Sequence, residues 1–147
     1  MTISGTIAGW RVRSFTPDPG VNYALVRDFA YGAVNTTAVV TFAGLTANQE
    51  YDLNFWSYDE GGHANHVATW SLTCGDSISG LGYNGDNANA QQTPYTLTGT
   101  ADVDGALELT VSGSWRLNGF EVVAVPEPST FALVGLAGLA LLRRRRA

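Results

Sequence analysis

Along this chain the apolar residues recur at every second position in short runs, with turn residues between the runs. From Thr36 to Phe42, Ala38, Val40 and Phe42 fall on one side and Thr37, Val39 and Thr41 on the other. From Tyr51 to Tyr58, Tyr51, Leu53 and Phe55 alternate with Asp52, Asn54, Trp56 and Tyr58. Between His66 and Thr73, Val67, Thr69 and Ser71 oppose Ala68, Trp70 and Leu72, and Leu107, Leu109 and Val111 mark a further run. Successive side chains of a strand point to opposite faces, so a period of two predicts half-buried β-strands. Ahead of residue 125 no segment shows apolar residues at helical spacing over three turns.

The remaining runs fill out the same picture. Thr2 to Trp10 predicts a strand, Pro17-Asp18-Pro19-Gly20 breaks the chain, and Val21 to Tyr31 predicts the next strand. Leu45, in the connecting loop 44–49, is expected to plug the core. Gly75 to Gln91, rich in Gly, Asn and Asp, reads as a long loop of the kind that often carries function. Pro94 to Gly99 resumes the sheet, Asp102-Val103-Asp104-Gly105 makes a turn, and Leu117 to Val125 closes the domain. About eight short strands near ten residues apart predict an all-β jelly-roll sandwich over residues 1–124. The segments Gly44-Leu45-Thr46, Glu50-Tyr51-Asp52-Leu53, Ser57-Tyr58-Asp59, Asp104-Gly105-Ala106-Leu107 and Asn118-Gly119-Phe120-Glu121-Val122 resemble galactose-binding-like jelly rolls of secreted bacterial proteins.

The pattern changes at residue 125. Val125, Pro126, Glu127, Pro128 and Ser129 form a spacer, Thr130 to Leu142 holds no charge, and Arg143, Arg144, Arg145 and Arg146 follow before Ala147. Prolines withhold the N–H that a ladder needs, so packed strands should end near Val125. Residues 130–142 predict a single apolar helix, and the arginine block should hold its end on the cytoplasmic side. Its 13 residues give roughly 20 Å of helix against roughly 30 Å of hydrocarbon, a gap that snorkelling arginines and local thinning of the bilayer narrow. This layout resembles the PEP-CTERM sorting signal, handled in Gram-negative bacteria by exosortase, a membrane protease-transpeptidase. The resemblance implies insertion in the inner membrane, cleavage near Pro126-Glu127-Pro128, and delivery to the cell surface or the extracellular polysaccharide matrix.

Charge narrows the partners. The chain has no lysine, and ahead of the terminal block four arginines face 13 acidic residues, a formal charge of 4 − 13 = −9. Such a domain repels nucleic acid and anionic lipid, so no nucleic-acid partner is expected. Cys74 has no partner for an intramolecular disulfide and is expected to be buried as a small hydrophobe. A sorting tail acts only after export, which calls for a secretion signal. Met1 to Trp10 has neither a basic region nor an adequate apolar run, so an upstream start or a trimmed leader is expected.

Candidate chemistry is sparse. Asp52, Asn54, Trp56 and Tyr58 share one parity and make a candidate ligand platform, with rings for apolar sugar faces and polar groups for hydroxyls. Trp70, Tyr83 and Tyr95 could extend it. Gly75-Asp76-Ser77-Ile78 is similar to the serine block of GDSL-type esterases, but both histidines precede it and no Asp-x-x-His follows. His63 and His66 beside Asp59 and Glu60 could hold a transition metal, yet they lack a helix to fix their spacing. Asp76, Asn84, Asp86, Asn87, Asn89, Asp102 and Asp104 offer oxygens suited to a structural calcium, although turn chemistry accounts for the same residues. No catalytic residue, metal or cofactor is therefore assigned.

The function expected from the sequence is that of an exported, non-enzymatic sandwich, structural or carbohydrate-binding, with exosortase, the inner membrane and extracellular polysaccharide as partners. The competing expectation is a secreted esterase that uses Ser77.

Overall fold

The structure is a computed structural model and describes residues 1–12, 28–59, 67–82 and 94–126. These residues form β1 (Thr2–Gly5), β2 (Gly9–Val12), β3 (Asp28–Tyr31), β4 (Thr36–Ala43), β5 (Glu50–Trp56) and β6 (Val67–Leu72). They continue with β7 (Ser77–Gly82), β8 (Tyr95–Thr100), β9 (Ala106–Gly113), β10 (Arg116–Leu117) and β11 (Gly119–Ala124). A five-stranded sheet runs β1-β4-β9-β6-β7, and two three-stranded sheets run β10-β3-β2 and β11-β5-β8. Every strand pairing is antiparallel. The fold is an all-β sandwich, as the alternation predicts.

The core lies between the layers. Ala38, Val40 and Phe42 of β4, Ala68, Trp70 and Leu72 of β6, and Leu107, Leu109 and Val111 of β9 are buried from one side. Tyr51, Leu53 and Phe55 of β5 with Leu97 of β8 are buried from the other. Contact across the layers is direct: the Phe55 and Trp70 rings are 4.6 Å apart, and those of Phe42 and Phe120 4.9 Å. Leu45 packs against this core as expected.

Three local readings are corrected. The predicted strand Thr2 to Trp10 is two strands in different sheets: β1 pairs with β4, and β2 with β3. The break comes at Gly5, whose φ of 96° interrupts the extended backbone. Residues 77–82 of the predicted loop form β7, an edge strand on β6 with a register shift between Ala68 and Trp70. The closing segment divides at Asn118 into β10, on β3, and β11, on β5.

The turn between β6 and β7 stitches the two layers along one side. Asp76 N–H donates to the Thr98 carbonyl (2.9 Å) and Thr100 N–H to the Cys74 carbonyl (3.2 Å). Thr98 N–H donates to Asp76 Oδ2 (3.1 Å). Cys74 is exposed here, with a φ of 56°, and is not the buried hydrophobe its solitary thiol suggested. Its backbone is used by the turn, which turns the side chain away from the core.

Candidate functional site

The outer face of β11-β5-β8 carries Asp52, Asn54 and Trp56, three of the four residues expected to form a platform. Because Tyr51, Leu53 and Phe55 are buried, Asp52, Asn54 and Trp56 stand on the opposite side of β5. Register places Asp52 opposite Thr98 and Asn54 opposite Thr96 on one flank. On the other flank Asn54 faces Glu121, and Trp56 faces Gly119. The hydroxyl of Thr98 donates to Asp52 Oδ1 (2.7 Å), that of Thr96 donates to Asn54 Oδ1 (2.7 Å), and Asn54 Nδ2 donates to Glu121 Oε2 (3.1 Å). The face is thus a polar ladder bracing three strands, with an indole at its end. Trp56 is half-buried, and its Nε1 is shielded without an acceptor among the described residues. An unmet donor of this kind costs about 1–3 kcal/mol.

Tyr58 does not join this face. β5 ends at Trp56, and the Asn118 side chain accepts the Tyr58 N–H (2.7 Å), so the strand alternation stops before Tyr58. Tyr58 is 1% exposed. Trp70 does not extend the surface either: it is fully buried against Phe55. Tyr95 sits opposite Phe55 on the inner side, its ring 5.7 Å away, and burial raises its phenol above the usual value. Tyr83 lies outside the described residues.

The other candidates resolve into scaffold or fall outside the description. Asp59 is 1% exposed, and its Oδ2 accepts from Arg116 Nε at 3.0 Å. Arg116 lies over the rings of Phe29 (5.6 Å) and Tyr31 (5.1 Å), and its Nη1 donates to the Trp115 carbonyl (2.9 Å). Asp59 is therefore committed to a buried ion pair, a role the sequence reading did not foresee. The only hint was an arginine beside a tryptophan in a domain with few cations. Glu60, His63 and His66 lie outside the described residues.

Ser77 is exposed on β7, while the Asp76 carboxylate is engaged by Thr98. No histidine is among the described residues to serve as its base. Asp102 Oδ1 accepts the N–H groups of Asp104 (2.9 Å) and Ala106 (2.8 Å), which is turn chemistry. Among the described residues no three His, Cys, Asp or Glu side chains gather as a metal site. Asn84, Asp86, Asn87 and Asn89 lie outside them.

At the tail, Val125 N–H donates to the Glu50 carbonyl (2.9 Å), and Gln49 Nε2 donates to the Val125 carbonyl (2.7 Å). Pro126 is exposed. Glu127, Pro128, the predicted helix 130–142 and Arg143, Arg144, Arg145 and Arg146 lie outside the described residues.

No curated protein sequence matches the chain. Among solved structures, TmCBM61 in complex with beta-1,4-galactotriose is similar at 14% identity and a TM-score of 0.47, over 84% of this chain and 88% of that one. The PEP-CTERM protein-sorting motif family matches residues 124–146. The chain thus carries a PEP-CTERM sorting motif, which begins at Ala124 on β11 and Val125 on its Glu50 and Gln49 contacts.

Proposed function

We propose that this protein is an exported, non-enzymatic carbohydrate-binding sandwich. Its tail is held in the inner membrane, with Arg143 to Arg146 on the cytoplasmic side, until exosortase cuts near Pro126-Glu127-Pro128. The domain then serves at the cell surface or in extracellular polysaccharide, and Asp52, Asn54 and Trp56 form its platform. The observation that carries the binding role is the half-buried Trp56 indole, set on the outer face at the end of a polar ladder. A ring beside amide and carboxylate groups suits a sugar, whose apolar face stacks while its hydroxyls bond.

One observation favours a second reading, in which the domain is a structural matrix element without a soluble ligand. Asp52 and Asn54 already bond to Thr98, Thr96 and Glu121. Titration of the full chain in detergent against soluble polysaccharides separates the two. Affinity that falls roughly tenfold in Trp56→Ala supports the platform, since a lost stacked ring is worth about 0.5–1.5 kcal/mol beyond its buried area. An unchanged isotherm in that variant removes it, and no binding by the parent chain leaves the structural reading.

A further inference from the structure

The outer face of the five-stranded sheet holds a groove of about 430 Å³ across the ends of β4, β9 and β6. Its floor is a single rung of the sheet: Thr37 of β4 and Thr69 of β6 both take Ser112 of β9 as their cross-strand partner. Neighbours opposite one another on adjacent strands stand about 4.5–5.5 Å apart at Cβ, so the three hydroxyls form a row across the sheet. None of the three hydrogen-bonds to another described side chain, unlike the spent ladder on the opposite layer. The walls are mixed and open: exposed valines, Val34 at 61% and Val67 at 49%, stand beside Asn35 and Thr36. Among the described residues that line it, none is ionisable.

We infer that this groove is a second glycan site, taking a neutral polysaccharide chain. Free hydroxyls both donate and accept, as a polyhydroxylated ligand requires, while the valines meet its C–H surfaces. Charge selects against acidic polymers: none of the described lining residues is a cation, and the domain ahead of the arginine block carries −9. The size falls within the usual range of about 300–1,000 Å³ for ligand sites. The inference shares with the proposed function its class of partner but rests on different residues. The outer faces of a two-layer sandwich point away from one another, so a domain with a site on each would join two polysaccharide chains.

The test titrates the full chain in detergent with soluble neutral glucan, galactan and mannan and with anionic alginate, and follows cross-linking by light scattering. The variants are Trp56→Ala and the triple Thr37→Val, Thr69→Val, Ser112→Ala, whose changes lie on the outer face and keep side-chain size. The inference expects a neutral polymer to bind and cross-link. The triple variant should weaken groove binding roughly tenfold through its lost hydrogen bonds and end the cross-linking. Binding lost in the triple variant and kept in Trp56→Ala supports the groove and removes the platform. Binding kept in the triple variant and lost in Trp56→Ala overturns the groove and leaves the platform standing. Preference for alginate overturns the groove, and no binding to any polymer overturns both. Should the triple variant fail to fold, Ser112→Tyr, which fills the groove at one outer position, carries the same comparison.

Discussion

Gly75 is pressed against Gly99 where the β6–β7 turn meets β8. A Cβ on Gly75 would lie 2.5 Å from the Thr98 carbonyl oxygen and 2.6 Å from Gly99 Cα, closer than such atoms can stand. The obstruction is backbone, which cannot swing aside as a side chain would. Gly75→Ala should therefore push the turn off β8 and cost about 1–3 kcal/mol. Thermal unfolding should show it as a fall in Tm of several degrees. Ser77→Ala, exposed two residues later, should stay within about 0.5 kcal/mol of the parent. Equal effects from the two would mean that the turn is not the joint described here.

The Arg116–Asp59 pair makes a second prediction. Asp59→Ala takes this carboxylate away from a guanidinium that is 90% shielded, at a cost of about 3–5 kcal/mol. Arg116→Lys should rescue little, because an ammonium loses the planar stacking over Phe29 and Tyr31 and the separate bond to the Trp115 carbonyl. Denaturant midpoints of both variants and of a joint Asp59→Leu, Arg116→Met form check this. The joint form should be more stable than Asp59→Ala alone.

Tyr95 predicts an alkaline signature. Burial raises its phenol above the usual 10.0, so the unfolded chain releases that proton at lower pH than the folded one. Its contribution is intact below pH 10 and is lost as pH rises through the folded value. Stability measured from pH 8 to 11.5 should fall less steeply in Tyr95→Phe than in the parent. Parallel curves would show that Tyr95 titrates alike in both states.

At the tail, Gln49→Ala should remove one bond to Val125 without disturbing the core. The expected cost is local, about 0.5–1.5 kcal/mol on the opening of the end of β11. Hydrogen exchange at the Val125 amide should accelerate about tenfold, while Leu53 and Leu109 amides hardly change. A uniform change across all amides would make Gln49 part of the global fold.

The alternation of β4, β5, β6 and β9 could be read from sequence because one face of each is buried and the other is not. β7 could not: Ser-Ile-Ser-Gly-Leu-Gly has the composition of a loop and becomes a strand only because β6 offers an edge to pair with. Tyr58 kept the parity of Asp52 and Trp56 on paper, but parity lapses where the strand ends and Asn118 captures its backbone. Cys74 followed its side-chain preference in the reading and its turn in the structure. The hydroxyl row of Thr37, Ser112 and Thr69 was invisible in sequence, since residues from three distant segments meet only through register.

The contacts at Val125 also set how the domain carries load. A pull on the chain beyond Pro126 enters the sandwich along β11, whose six residues are all in register with β5. Tension directed along that strand strains its rungs together in shear instead of opening them one at a time. With the tail tethered as proposed above, the same hydrogen bonds that finish the sheet are the ones that resist the tug of whatever moves outside.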